Sequence, residues 1–285
     1  MANTTKTADW DLIITADRGW FSIDLKALWD YRDLIFLFVR RDLVSQYKQT
    51  ILGPLYFAIT PILGTLINTF IFGKVAKLST DGVPHFLFYM SGGLLWGYFT
   101  DCLTASKDTF TGNKGIFSQV YFPRLSVPIS QAISALFKLM VQFVVFFSFY
   151  VYFVVDGFEL TPSIWVVLFP LLLLQCALLG IGVGVLLSSF TTKYRDLNFV
   201  FGFFTTAWMY ASPVVYPISV MPEKYHLLLS MNPMVGVIES ARQILFGVSS
   251  LRVEYIVFGV IVNLIALIVG VLVFNKVERN FLDTV

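Results

Sequence analysis

Side chains able to do chemistry are few in this 285-residue chain, and they do not gather. His85 and His226 stand alone, with no second ligand at a metal-binding spacing, so no metal site is expected. Cys102 and Cys176 form no CxxC pair and lie in apolar runs, which suits small packing residues rather than redox chemistry. No Ser/His/Asp or Cys/His set shares an arguable site. Gly180-Ile181-Gly182-Val183-Gly184 looks at a glance like a phosphate loop, but it sits inside an apolar run with no strand before it. The spacing of Gly180 and Gly184 fits close helix packing instead. No G-x-x-x-x-G-K-[ST] motif occurs, so the chain has no P-loop of its own for ATP hydrolysis. Asp101 and Lys138 lie within or near the ends of apolar runs, where an ionisable group is a functional candidate by default. These residues describe a protein that is not itself an enzyme and holds no cofactor.

The elements that carry these residues are membrane helices. The chain is 57% hydrophobic and only 13% charged, against about 25% charge in a soluble domain. The fold class expected is an all-α integral membrane protein with six spans, at about 54–73, 85–105, 128–155, 164–189, 197–217 and 255–275. Each is roughly long enough for a ~30 Å hydrocarbon layer at ~1.5 Å per residue. Lipid offers no partner to a free N–H or C=O, so the spans must be helical. Residues 1–51 form a tail and an interface helix, and residues 52–285 the six-span domain. In that helix, over 25–49, apolar residues from Leu25 to Tyr47 recur near helical spacing but are interrupted by charges. Each charge would cost about 2.5–3.5 kcal/mol at a span's centre, so the segment is expected to lie in the interface.

Lysine and arginine set the orientation. The N-terminal segment, the loops around Arg124 and Arg195 and the C-terminal tail carry fourteen; the opposite loops carry five, and Lys138 lies in a span. Both termini are therefore expected in the cytoplasm. The stretch 212–252 falls on the opposite side yet is largely apolar, and Pro213, Pro217, Pro222 and Pro233 break it into pieces too short to span. Such pieces suit re-entrant helices; an ordinary packed cap is the alternative. Glu239 and Arg242 are three apart and positioned to pair. Aromatics make up 17% of the chain. Most belong at lipid, but some could line a conduit, with Phe57, Phe88, Tyr89, Trp96 and Tyr98 the candidate set beside Asp101.

The order and spacing of several short motifs carry a family resemblance. They are Arg41-Asp42, Tyr47-Lys48-Gln49-Thr50, Leu52-Gly53-Pro54, Tyr121-Phe122-Pro123-Arg124, Tyr194-Arg195-Asp196, Ser212-Pro213-Val214-Val215-Tyr216-Pro217, Asn232-Pro233 and Phe281-Leu282-Asp283. Over nearly its whole length the chain resembles the membrane subunit of type-2 ABC exporters of polysaccharides: O-antigen, capsule and teichoic acid. The resemblance implies a homodimeric permease in the bacterial inner membrane, with a conduit for lipid-linked polysaccharide between the subunits. Two copies of a separate subunit would bind ATP and Mg and dock on the cytoplasmic face. Arg40, Arg41, Asp42, Tyr47, Lys48, Arg124, Arg195 and Asp196 would couple to it. Leu52, Gly53 and Pro54 would shape the cytoplasmic entrance, and the loop around 107–125 would be a gate helix. Pro213, Tyr216, Pro217, Asn232, Pro233, Glu239 and Arg242 would belong to the periplasmic gate. A type-2 exporter of drugs or lipids would share this architecture. A membrane scaffold that recruits an ATPase without transport is the rival from another class.

Overall fold

The computed structural model describes residues 25–48, 53, 55–117, 119–120, 122–159, 163–191, 194, 196–248 and 253–281. Among them there are helices and turns and no strand. A short α1 (Leu25–Asp30) and α2 (Arg32–Lys48) form the interface segment, interrupted at Tyr31. Then come α3 (Leu55–Asn68), α4 (His85–Lys107), the one-turn α5 (Thr109–Gly112) and α6 (Lys114–Phe117), and α7 (Ser126–Val155). They are followed by α8 (Phe169–Thr191), α9 (Leu197–Tyr210), the short α10 (His226–Ser230), α11 (Pro233–Phe246) and α12 (Val253–Phe281).

Among the described residues four helical stretches are long and apolar enough to cross a membrane: Leu55–Val75, Ser126–Val155, Ile164–Thr191 and Ile256–Lys276. The first ends in a π-helical segment, Thr69–Val75, where the Ala76 N–H donates to the Ile71 carbonyl. Gly73 lies in this segment because a Cβ there would come within 2.7 Å of the His85 ring.

Helix α4 is as long as a span but less apolar, since Ser91, Gly92, Gly93, Gly97, Thr100 and Asp101 interrupt it. The packing explains this composition. Helices α3, α7, α8 and α11 surround α4, so most of it meets protein rather than lipid. The glycine run of α8 fits against it. A Cβ on Gly180 would lie 2.9 Å from the Phe99 carbonyl, and one on Gly184 would lie 2.6 Å from that of Leu103. Gly182 faces the other way, onto the Leu267 backbone of α12, so the run packs two helices at once.

The fifth apolar stretch is shorter than its hydropathy suggests. Helix α9 stops at Tyr210, and 211–217 is a turn rather than a continuation to 217. Ser212 N–H closes onto Met209, Val214 N–H onto Ser212, and two prolines exclude a helix beyond. Fourteen residues reach about 21 Å, less than a hydrocarbon core. No side chain of α9 is buried in the protomer.

Candidate functional site

The stretch 211–246 folds back onto the His85 end of α4 as a cap built from two polar hubs. The first is Asn232. Its side-chain oxygen accepts from the Met234 N–H at 3.1 Å and so caps α11, while Pro233 occupies the first turn, where its missing N–H is harmless. The same oxygen accepts from Trp208 Nε1 of α9 at 2.9 Å, and Asn232 Nδ2 donates to Ser212 Oγ at 2.8 Å. One amide therefore joins α9, the proline turn and α11.

The second hub is Arg242, whose side chain is 2% exposed. Nη1 pairs with Glu239 Oε1 at 3.0 Å, one turn back on α11, and Nη2 donates to the Val214 carbonyl at 3.1 Å. Nη1 also lies 3.5 Å from the Tyr216 carbonyl. The guanidinium stacks on α4, its Cζ 3.6 Å from the centre of the Phe88 ring. Gly92 leaves room for this, since a Cβ there would stand 3.1 Å from Nη2. Burial draws the guanidinium down to about 10, with the Glu239 carboxylate pulling the other way, so it stays protonated at neutral pH. The arrangement pins the Pro213–Pro217 turn to α4 through a single cation. The pair expected from the spacing of Glu239 and Arg242 is thus formed, but its ties to the turn and to Phe88 had no signal in the sequence.

At the opposite end, α2 lies against α7. Ile35, Phe38 and Val39 are buried there, while Phe36, Leu37 and Val44 stay exposed on the other side. Arg40 and Lys48 are exposed; Arg41 pairs with Asp42 at 2.8 Å and stacks over Phe38. Tyr47 lies in the last turn of α2. Arg124 is buried, its guanidinium 5.8 Å and 5.4 Å from the rings of Phe110 and Phe117, which bring α5 and α6 over it. Lys107, the last residue of α4, pairs with Asp108 and donates to Asn198 of α9 at 2.8 Å. Asp196 immediately precedes α9. Gly53 has φ +50°, a conformation that favours glycine. Leu52, Pro54 and Arg195 lie outside the described residues.

The two isolated ionisable groups meet. Lys138 of α7 donates to Asp101 of α4 at 2.7 Å. Neither has a charged neighbour at helical spacing, so the sequence held no sign of their partnership.

Four of the candidate conduit residues lie inside the protomer. Phe88, Tyr89, Trp96 and Tyr98 are each buried in the protomer's own core, with Tyr98 also at the edge of an apolar cavity between α7 and α8. Trp96 packs against Phe99 and Trp208, and Phe88 is covered by Arg242. The physical reason is that α3, α7, α8 and α11 take up the faces of α4 that carry its rings, while its less buried stripe of Gly93, Gly97, Thr100, Asp101 and Thr104 carries none. Phe57 is also buried, and it lines a cavity together with Asp101. Among the described residues no three His, Cys, Asp or Glu side chains approach one another closely enough to hold a metal.

Comparison with known proteins fits this arrangement. Residues 33–246 match the family described as ABC-2 type transporter, a region that takes in α2, the enclosed α4 and the whole cap. The chain is 28% identical over 255 residues to a Klebsiella pneumoniae protein named O-antigen export system permease protein RfbA, covering 88% of this chain and 94% of that one. A Myxococcus xanthus protein of the same name is 26% identical, with 78% and 84% covered. The polysialic acid transport protein KpsM of Escherichia coli is 23% identical, with 86% and 93% covered. With three quarters of its length inside the match, from the interface helix to the end of the cap, the chain belongs to the ABC-2 type transporter membrane family.

Proposed function

We propose that this chain is the transmembrane subunit of an ATP-driven exporter that carries lipid-linked, O-antigen-like polysaccharide from the cytoplasm across the bacterial inner membrane. The observation that supports it best is the end-to-end alignment with permeases named for O-antigen export, which leaves little of either chain unmatched. ATP and Mg are then bound by a separate subunit, in two copies, since this sequence has no P-loop.

Six crossings are reached if the enclosed α4 counts as a span and α9 crosses with help from the turn that follows it. The positive-inside rule then puts α2 and both termini in the cytoplasm and the cap outside. Residues 1–51 serve as tail and interface helix, and 52–285 as the membrane body. The conduit runs between two copies of the chain. Its walls are α3 with the π-helical segment that follows it, and α9, whose aromatics Tyr56, Phe70, Phe199, Phe203 and Phe204 are exposed on the single protomer. Coupling to the ATPase falls to Arg40, Arg41, Asp42, Tyr47 and Lys48 of α2, to the α5–α6 turns held by Arg124, and to Arg195 and Asp196 before α9. Leu52, Gly53 and Pro54 form the entrance, and the cap held by Asn232 and Arg242, with Pro213, Tyr216, Pro217, Pro233 and Glu239, forms the outer gate.

The test is reconstitution of the chain with its ATPase in liposomes loaded with lipid-linked glycan on the ATPase side. ATP is expected to move glycan to the opposite side. ATP turnover with the glycan left in place would overturn the proposal and favour the scaffold reading.

A further inference from the structure

A polar cavity of about 360 Å³ lies where α2, α3, α4 and α7 meet. Its walls combine two kinds of surface. One is polar: Asp42, Asp101, Gln131, Ser134 and Lys138. The other is apolar and includes the ring of Phe57. The size is at the lower end of the roughly 300–1,000 Å³ of small-ligand sites, so it suits one small unit and not a polymer.

Charge narrows the ligand. Asp42 is already paired with Arg41 at 2.8 Å and Asp101 with Lys138 at 2.7 Å. A phosphate would meet two carboxylates, and a metal ion would have to displace two resident cations. A neutral molecule rich in hydroxyl groups meets neither obstacle. Lys138 has three N–H donors and Asp101 two acceptor oxygens, and their mutual bond uses only one of each. Gln131 Oε1 is a buried acceptor with no partner. Such an orphan is costly unless something supplies a donor. A sugar ring matches all three features: hydroxyls for the carboxylates, ammonium and amide, and a C–H face for Phe57.

We propose that this cavity is a saccharide subsite, in which one sugar residue of the transported glycan docks between the interface helix and the spans. The proposal rests on the reading of the chain as a glycan exporter. It gives α2 contact with cargo as well as with the ATPase, because Asp42 belongs to both the cavity and the Arg41 pair.

The test places single cysteines on facing walls, Ala105→Cys and Ala135→Cys, in the full complex in cells, with the partner ATPase trapped before hydrolysis. Labelling by a small maleimide is compared between cells that make the glycan and cells lacking its first sugar transferase. The native Cys102 and Cys176 are buried and set the background. Labelling at least threefold slower in glycan-making cells is expected. Equal rates, with the parent complex still exporting, would overturn the subsite alone; failure of the parent chain to export would overturn the exporter reading with it. Gln131→Leu separates binding from folding. Removing an orphaned acceptor leaves thermal stability unchanged or higher, while export falls several-fold and the labelling difference shrinks. Full export by Gln131→Leu, with the labelling difference intact, would also overturn the proposal.

Discussion

Arg242→Met tests the cap most directly. The substitution keeps a long, flexible apolar chain but removes the cation. Glu239, its side chain 3% exposed, then loses its ion pair with Arg242 while still buried. Breaking a buried pair from one side costs about 3–5 kcal/mol. Little screening reduces this, because both side chains are almost wholly out of solvent. At about 2–4 °C per kcal/mol for a chain of this size, the melting temperature of the purified protein should fall by roughly 10 °C. The double variant Glu239→Gln, Arg242→Met removes the stranded charge but still leaves the Val214 carbonyl without its donor, a cost of about 1–3 kcal/mol. It should therefore recover roughly half of the loss. Differential scanning fluorimetry on the three proteins decides the matter. A single variant within a degree of wild type, or a double variant less stable than the single, would refute the assignment of Arg242 as the pin. If the cap is also the outer gate, Arg242→Met should leak small ions in liposomes without ATP, and an unchanged seal would separate the stabilising role from the gating one.

Substitutions at three further positions probe other joints. Asn232→Ala removes the α11 cap and frees the Trp208 indole; a loss of about 1–2 kcal/mol should come with a shift in tryptophan emission, and unchanged emission would argue against the Asn232–Trp208 bond. Gly184→Leu drives a side chain into the Leu103 backbone, so α4 and α8 must separate; overpacking of this kind costs about 1–3 kcal/mol or more, read as loss of monodisperse protein, and normal yield and melting would refute the close packing. Gly53→Val should reduce export more than Gly53→Asn, since nothing stands within 4 Å of a Cβ there and only the φ of +50° resists substitution; equal export by both would remove backbone angle from the entrance.

How much of this was legible depended on whether a feature was local. Asn232-Pro233 reads as a helix start because both residues act within one turn, and α11 begins at Pro233. Glu239 and Arg242 read as a pair for the same reason. Tyr210 as an end of α9 did not, because the apolar run continues through Val214 and Val215 and the turn is fixed by a donor 28 residues away. Asp101 and Lys138 are 37 residues apart and look independent until α4 and α7 are side by side. Hydropathy cannot distinguish an aromatic facing a pore from one facing another helix, so it carried no signal for the burial of Phe88, Tyr89, Trp96 and Tyr98 in the protomer. A hint lay in the same segment: a helix with Ser91, Gly92, Gly93 and Gly97 presents little apolar bulk to lipid, which suits enclosure by other helices.

The enclosure of α4 bears on how the two ends of the molecule could communicate under the proposed reading. Phe88, under Arg242, and Lys107, bonded to Asn198, lie at opposite ends of one helix about 28 Å apart. Between them Asp101 meets α7, and Leu103 is pressed by Gly184 of α8. A helix gripped this closely cannot bend far without opening gaps in packing of interior density. A push delivered by α2 against α7 would therefore be expected to move α4 as a rod and to reach the Arg242 pin at its far end. Wedging α8 away from α4 should break that link. Gly97, where a Cβ meets nothing within 4 Å, offers a control site, since Gly97→Ala adds no clash and raises helix propensity. Coupling of ATP turnover to export should survive Gly97→Ala and fail in Gly184→Ala, whose added methyl lies 2.6 Å from the Leu103 carbonyl. Equal coupling in both variants would mean that the ends communicate by another route.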